Sequence, residues 1–256
     1  MLEDGLRKTM LSTSGAELDA ALGELGWADM LSEMHEAAIP LVFRLLGETG
    51  SHASILNDVV LLTSGGEPGT TPALPYAGGG WVVWDYASAA ESSALGGLPL
   101  RRVEEGGHLR LPDARRAVGW WLVGSARAML TLARQHALDR VQFGRPIAGF
   151  QAVRHRLAET LVAIEGAEAT LSLPGADNPD LTALLAKAAA GKAALTAAKH
   201  CQQVLGGIGF TAEHELHHHV KRALVLDGLL GSSKELTRRA GAGLRARGSS
   251  PRLAVL

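Results

Sequence analysis

"RVQFGRPIAGFQ", residues 140–151, decides how this chain folds, because it interrupts two helical patterns. Upstream, in "DARRAVGWWLVGSARAMLTLARQHALDR", Val118, Leu122, Ala126, Met129, Ala133 and Ala137 form one apolar stripe at helical spacing. Downstream, from about Phe150, Val153, Leu157, Leu161, Ile164 and Leu171 form another. Between them Gly144 is expected to end the first helix, and Pro146 bars its continuation. Punctuation accounts for the glycine and the proline but not for Arg140, Gln142 and Phe143. Those three offer a forked cation, an amide and an aromatic face, which suit a phosphate joined to a heterocycle. An arginine at a helix end also complements the helix dipole, so residue types alone leave both readings open.

Working outward, "LPGADNPD" reads as a loop, and "LTALLAKAAAGKAALTAAKHCQQVL" reads as a third helix. Its alanines let neighbouring backbones approach closely. Gly206 and Gly207 are expected to cap it. A fourth helix is expected after Thr211, with Glu213 in its first turn, where the dipole favours an acid. Ser232 and Glu235 then have the spacing of a capping box for a last helix. Four or more long helices over about 130 residues make a bundle. Residues 1–64 read as a reduced helical region, with Leu18, Leu22 and Leu25 at helical spacing. In it, Pro40 is expected near a helix start and Gly47 or Gly50 near its end. Residues 65–112 are rich in glycine and proline. There "WVVWDY", "LPLRRV" and "HLRL" read as short strands of a truncated β segment or irregular loop. The expected fold is mainly α, with the helical bundle over residues 113–256.

Composition narrows the function classes. The chain has 256 residues, 46% hydrophobic and 20% charged, with a net charge of −1. No general attraction to nucleic acid or to an anionic membrane follows from that balance. The single cysteine, Cys201, excludes an internal disulfide and a cysteine-rich zinc site. With no signal-peptide pattern and no long uninterrupted apolar run, a cytoplasmic location without a membrane span is expected. His214 and His218, at i and i+4, are a candidate metal pair lacking a third ligand at suitable spacing. Asp113 and Asp227 are lone carboxylates near helix ends. "QQVLGGIGF" has no strand before it and so is not a dinucleotide fingerprint.

"RVQFGRPIAGFQ" followed some fifty residues later by "QVLGGIGFTAEHELHHHVKRA" resembles the C-terminal helical domain of acyl-CoA dehydrogenases, over residues 114–240. The resemblance implies FAD lying at a subunit interface. The first motif would reach the diphosphate and adenine of the neighbouring subunit's flavin, and the second would do likewise. By position this assigns Arg140, Gln142, Phe143, Gln151, Gln203, Gly206 and Gly207 to cofactor binding. The implied reaction is α,β-dehydrogenation of an acyl-CoA thioester. In it a glutamate takes the α proton and the β hydrogen leaves as hydride to the flavin, with electron-transfer flavoprotein as acceptor.

Two departures qualify what the resemblance implies. The usual glutamate positions fall at Leu230, in the loop after the fourth helix, and near Ala114, so no catalytic residue of the usual kind is assigned. The β segment is also short, and "GEPGT" is only an echo of the segment that contacts the flavin ring. Both departures resemble one subunit of the α2β2 acyl-CoA dehydrogenases that act on steroid-derived thioesters. The expected function is therefore a non-catalytic subunit that completes the FAD site of a second acyl-CoA dehydrogenase-like chain. The alternatives are a self-sufficient homomeric enzyme using Asp113 or Asp227 as base, and a structural helical protein without flavin.

Overall fold

In the computed structural model, residues 2–66, 70–87, 95–173 and 178–249 are described. Most of "GEPGT" and the middle of "LPGADNPD" lie outside them. The axis of the fold is α5 (Pro112–Asp139), whose N-terminal half is buried almost all round, from Ala114 through Ala126. Every residue of its expected stripe, Val118 to Ala137, is fully buried. Proline at its start costs nothing, since the first amides of a helix have no intrahelical acceptor.

On one side of α5 lie α1 (Leu2–Ser12), α2 (Ala16–Glu24), α3 (Trp27–Thr49) and α4 (Leu56–Ser64). The contact between α3 and α5 is made by two glycines. A Cβ on Gly47 would stand 2.3 Å from the Trp121 carbonyl oxygen, and one on Gly124 would stand 2.1 Å from that of Arg44. Only bare backbone fits at either point. Phe43, Trp121 and Trp84 then stack edge and tilt at ring separations of 6.0 and 6.3 Å. Pro40 lies inside α3 rather than at a helix start, and the chain breaks instead at Met34, whose backbone is non-helical. Gly50, left-handed at φ 71°, ends α3, while Gly47 serves packing. Leu25 is 41% exposed, so its leucine spacing overstated the apolar face.

The β segment is a three-stranded antiparallel meander, β1 (Leu74–Tyr76), β2 (Gly80–Trp84) and β3 (Leu100–Val103). Val82 and Trp84 point inward. "HLRL" forms no strand: Arg110 is tied to Thr63 and Ser64 of α4, and the segment runs straight into α5.

On the other side of α5 lie α6 (Gln151–Leu171), α7 (Pro179–Leu205), α8 (Leu216–Gly228) and α9 (Ser233–Arg247). Consecutive helices are antiparallel: Arg116 at the start of α5 donates to the carbonyls of Leu171 and Leu173 at the end of α6. By length and composition alone α7 and its continuation would cross a membrane, yet 67% of that window is buried inside the protein. It is a core helix. Leu161, expected inside α6, is 42% exposed, and Thr160 is buried in its place, bonded to His200 of α7. Helix α8 begins at Leu216, not after Thr211, because the His214 imidazole accepts the Leu216 amide and caps it. That use removes His214 from the candidate metal pair. The expected capping box at Ser232 and Glu235 is present.

Arg222 of α8 fastens the two halves by donating to the carbonyls of Gly50 and Ser51. Beside it burial, aided by the Arg222 charge, pushes His52 and His219 down to about 4. Both are neutral in the folded chain and titrate near 6.5 when unfolded. Stability is therefore fully present above pH 6.5 and falls as pH drops toward 4. The expected result is a melting temperature that declines from pH 7 to pH 5, less steeply in His219→Asn. Separately, Gly124→Ala should lower stability by about 1–3 kcal/mol in urea denaturation, and an unchanged midpoint would contradict the backbone contact.

Candidate functional site

Two places in this fold carry the residues singled out from sequence. The first is the connection from α5 to α6. Helix α5 stops at Asp139 because Arg140 turns extended, at φ −76° and ψ 115°. The Arg140 carbonyl accepts the Ile147 amide at 2.8 Å and closes a two-stranded hairpin, β4 (Val141–Gln142) with β5 (Arg145–Pro146). Gly144 is therefore a hairpin residue and not a helix terminator. With Gln142 opposite Arg145, the loop is two residues long, Phe143 at φ 53° and Gly144 at φ 77°. Positive φ at both positions is the type I′ turn that matches strand twist.

Phenylalanine is a poor residue for that backbone, and left-handed φ at such a side chain costs about 1–3 kcal/mol. Its ring is 91% exposed. Phe150 meets it edge-on at 6.1 Å, and the Arg145 guanidinium lies 4.4 Å over the Phe150 ring. The strain thus presents an aromatic face to solvent beside exposed Arg140, Gln142 and Gln151.

The second motif ends α7. Gly206, at φ 65° and ψ −140°, adopts a backbone closed to other residues and donates to the last carbonyls of the helix. A tight turn over Gly206–Phe210 follows, in which a Cβ on Gly209 would meet the Gln202 carbonyl oxygen at 2.6 Å. Above Gly206 and Gly207 the space is open. Since α5 and α7 run in the same direction, hairpin and glycine turn stand at one end of the bundle. His136 feels the charges of both Arg140 and His214 there. Among the described residues, the side chains of Arg140, Gln142, Gln151 and Gln203 hydrogen-bond nothing within the chain. Unpaired donors, a bare aromatic face and open glycines fit a flavin dinucleotide's diphosphate and adenine. Apolar side chains surround them: Val141, Ile208 and Phe210 are 54%, 40% and 66% exposed.

The other place is the turn between α8 and α9, at the opposite end. Leu230, at φ 60°, is 1% exposed. Its amide donates to the Pro75 carbonyl of β1 at 2.8 Å, and Leu229 forms a bridge with Tyr76. The Tyr76 ring covers Gly228, where a Cβ would stand 2.6 Å from the ring. From α5, Arg115 donates to the Leu230 carbonyl, and Ala114 beside it is fully buried. Burial pushes the Arg115 guanidinium down to about 10. Asp227 is buried as well and accepts the Ser233 amide, capping α9. Asp113, by contrast, lines an open cleft of about 720 Å³ with His35, Glu36, Arg116 and Trp120.

The sequence did not single out Arg115, Arg222 or Lys187, three basic side chains that the fold buries. Lys187 shares its alanine run with Lys192 and Lys199, which are exposed, so the sequence alone does not set it apart.

The profile of the acyl-CoA dehydrogenase C-terminal domain matches residues 109–244, and the chain belongs to the acyl-CoA dehydrogenase family. The curated acyl-CoA dehydrogenase IpdE2 of Mycobacterium tuberculosis is 41% identical over 117 residues, 46% of this chain and 37% of that protein. FadE34 of the same organism is 36% identical over 198 residues, covering 68% of this chain and 28% of its own. The chain thus spans about a third of the length of these relatives. Among solved structures, a Tcur3481–Tcur3483 steroid acyl-CoA dehydrogenase variant matches with a TM-score of 0.68 at 19% identity, over 96% of this chain and 97% of that one. The ChsE4–ChsE5 complex of Mycobacterium tuberculosis matches with a TM-score of 0.67 at 19% identity, over 98% and 88%. At that identity the likeness establishes the fold.

Asparagine tolerates left-handed φ where phenylalanine does not. Phe143→Asn should therefore leave the chain equally stable or more stable, by up to about 1 kcal/mol. A clear loss of stability in thermal unfolding would show that the ring supports the chain's own fold.

Proposed function

We propose that this chain is a subunit of a flavin-dependent acyl-CoA dehydrogenase that completes the FAD site of a second acyl-CoA dehydrogenase-like chain and supplies no catalytic base of its own. One contrast carries the reading. The hairpin exposes unpaired donors and a strained aromatic ring, while the turn bearing Leu230 is buried under β1 and Arg115. Along α5 the two stand about 37 Å apart, at 1.5 Å per residue from Arg115 to Arg140. A flavin held by this hairpin therefore serves a neighbouring chain's thioester and not this chain's own turn.

The roles follow from the side chains. Arg140 pairs with the diphosphate, a charge-assisted contact of about 1.5–3 kcal/mol. Phe143 would offer its exposed ring to the adenine, and Gln142, Gln151 and Gln203 would help to hold the dinucleotide. Gly206 and Gly207 let the ligand approach the α7 terminus. FAD supplies the acceptor for the β hydrogen, and the partner supplies the carboxylate for the α proton. The solved steroid acyl-CoA dehydrogenase and the ChsE4–ChsE5 complex each pair two different chains, which supports a second subunit; the α2β2 assembly and the bulky steroid-derived thioester follow from the family resemblance. We assign electron-transfer flavoprotein as acceptor because the family reaction implies one, and the cytoplasm as location because the sequence shows no signal-peptide pattern.

A self-sufficient enzyme retains one supporting observation, the open cleft beside Asp113. The assay that separates the two readings measures acyl-CoA oxidation by the chain alone and by the chain co-expressed with a second acyl-CoA dehydrogenase-like subunit from the same source. Activity should need both chains and survive Asp113→Asn. Leu230→Glu should leave the single chain inactive and destabilised, since a carboxylate there has no solvent. Oxidation by the single chain, lost in Asp113→Asn, would select the self-sufficient enzyme.

A further inference from the structure

Lys187 has no exposed surface, although it sits among alanines in the middle of α7. Its Nζ donates to the carbonyls of Asp227 and Gly231, both at 2.5 Å. Those carbonyls bracket the 228–231 turn, in which Leu230 and Gly231 take left-handed backbone in succession, at φ 60° and 100°. One side chain from α7 therefore reaches both ends of the turn. β1 grips its middle through the Pro75 carbonyl, and α5 grips it through Arg115. The helices are drawn close there, since a Cβ on Gly191, one turn after Lys187, would meet the Asp227 carboxylate at 2.1 Å.

We propose that Lys187 is the positioning residue of the α8–α9 turn: its amine fixes the left-handed backbone that presses Leu230 inward and keeps the turn shut against β1. The proposal takes from the proposed function only the meaning of that turn, a closed wall where a catalytic group would otherwise stand. The clamp itself involves no flavin.

The chemistry of the amine matches this role. A neutral amine has two N–H groups, and two carbonyls accept them. An ammonium would carry a third donor with no acceptor among the described residues. Around it, Asp227 of α8 and Glu235 of α9 favour the charge, while Arg115 of α5 opposes it. From β1, Tyr76 faces the same cluster and is itself pushed up by burial. Burial dominates and brings the Lys187 amine down to about 7. Unfolded, the same amine titrates near 10.4. Between those values the unfolded chain binds the extra proton, so this group adds stability as pH rises above 7.

The test compares the full chain with Lys187→Met, which keeps an unbranched side chain and removes the donors. Two readouts serve: amide hydrogen exchange at Leu230, and melting temperature from pH 7 to pH 9. The expected result is Leu230 exchange faster by about tenfold or more in the variant. The rise of melting temperature with pH, present in the native chain, should be lost. Unchanged exchange together with an unchanged pH slope would overturn the proposal. If Lys187→Met does not fold, NMR of the Lys187 amine protons in the native chain decides: protons protected from solvent exchange by the two carbonyls support the clamp, and freely exchanging ones overturn it. Neither readout depends on flavin or on activity, so failure here and failure of the proposed function are separately visible.

Discussion

The seating of α5 against α3 through Gly47 and Gly124 is the contact on which the rest of the structure depends. With backbone on backbone at both points, α3 and α5 approach too closely for any side chain there, and the aromatic set Phe43, Trp121 and Trp84 fills the flank. That contact fixes α5 as a rod with two defined ends. At its C-terminal end the chain reverses through the hairpin and leaves Arg140, Gln142 and Phe143 outside the core. At its N-terminal end Arg115 and Ala114 meet the turn that carries Leu230. Everything proposed about function is a statement about what lies at each end.

The ends differ in how their polar groups are satisfied. At the buried end the charged and basic groups around the turn have partners in the chain: Arg115 with Leu230, Lys187 with Asp227 and Gly231, and Asp227 with Ser233. At the exposed end the corresponding donors have none among the described residues, and an aromatic ring is held in unfavourable backbone in contact with water. The proposed function gives this arrangement a use that the chain's own packing does not supply. Strain left standing at an exposed site is characteristic of a surface completed by something else.

Much of this was legible in the sequence, for physical reasons that vary from element to element. The stripe on α5 gave the helix and its buried face, and the Ser232–Glu235 capping box gave the start of α9, because both patterns have a single structural solution. The mainly α fold and the acyl-CoA dehydrogenase family membership follow the same course. The hairpin did not read correctly, since Gly144 and Pro146 are equally the signature of a helix stop, and phenylalanine argues against the positive φ that Phe143 adopts. The start of α8 was hidden because an imidazole, not a hydroxyl or carboxylate, caps it. Leu161 and Leu25 kept helical spacing but fell on the wet side, where packing of α6 against α7, and of α2 against α1 and α3, chose other residues. Lys187 was invisible as a buried group, since lysine reads as solvent-facing until the turn that receives it is known.

The central claim is that this chain holds a flavin only as part of an assembly, through Arg140 and the hairpin around it. The most direct measurement is the flavin absorbance of the purified chain, of its complex with the second subunit, and of the complex carrying Arg140→Ala. The account predicts a colourless chain, a yellow complex, and flavin affinity in the variant complex reduced by about 10- to 150-fold, the equivalent of one lost charge-assisted bond. Stoichiometric flavin on the chain alone, or a variant complex that retains flavin with unchanged affinity, would contradict it.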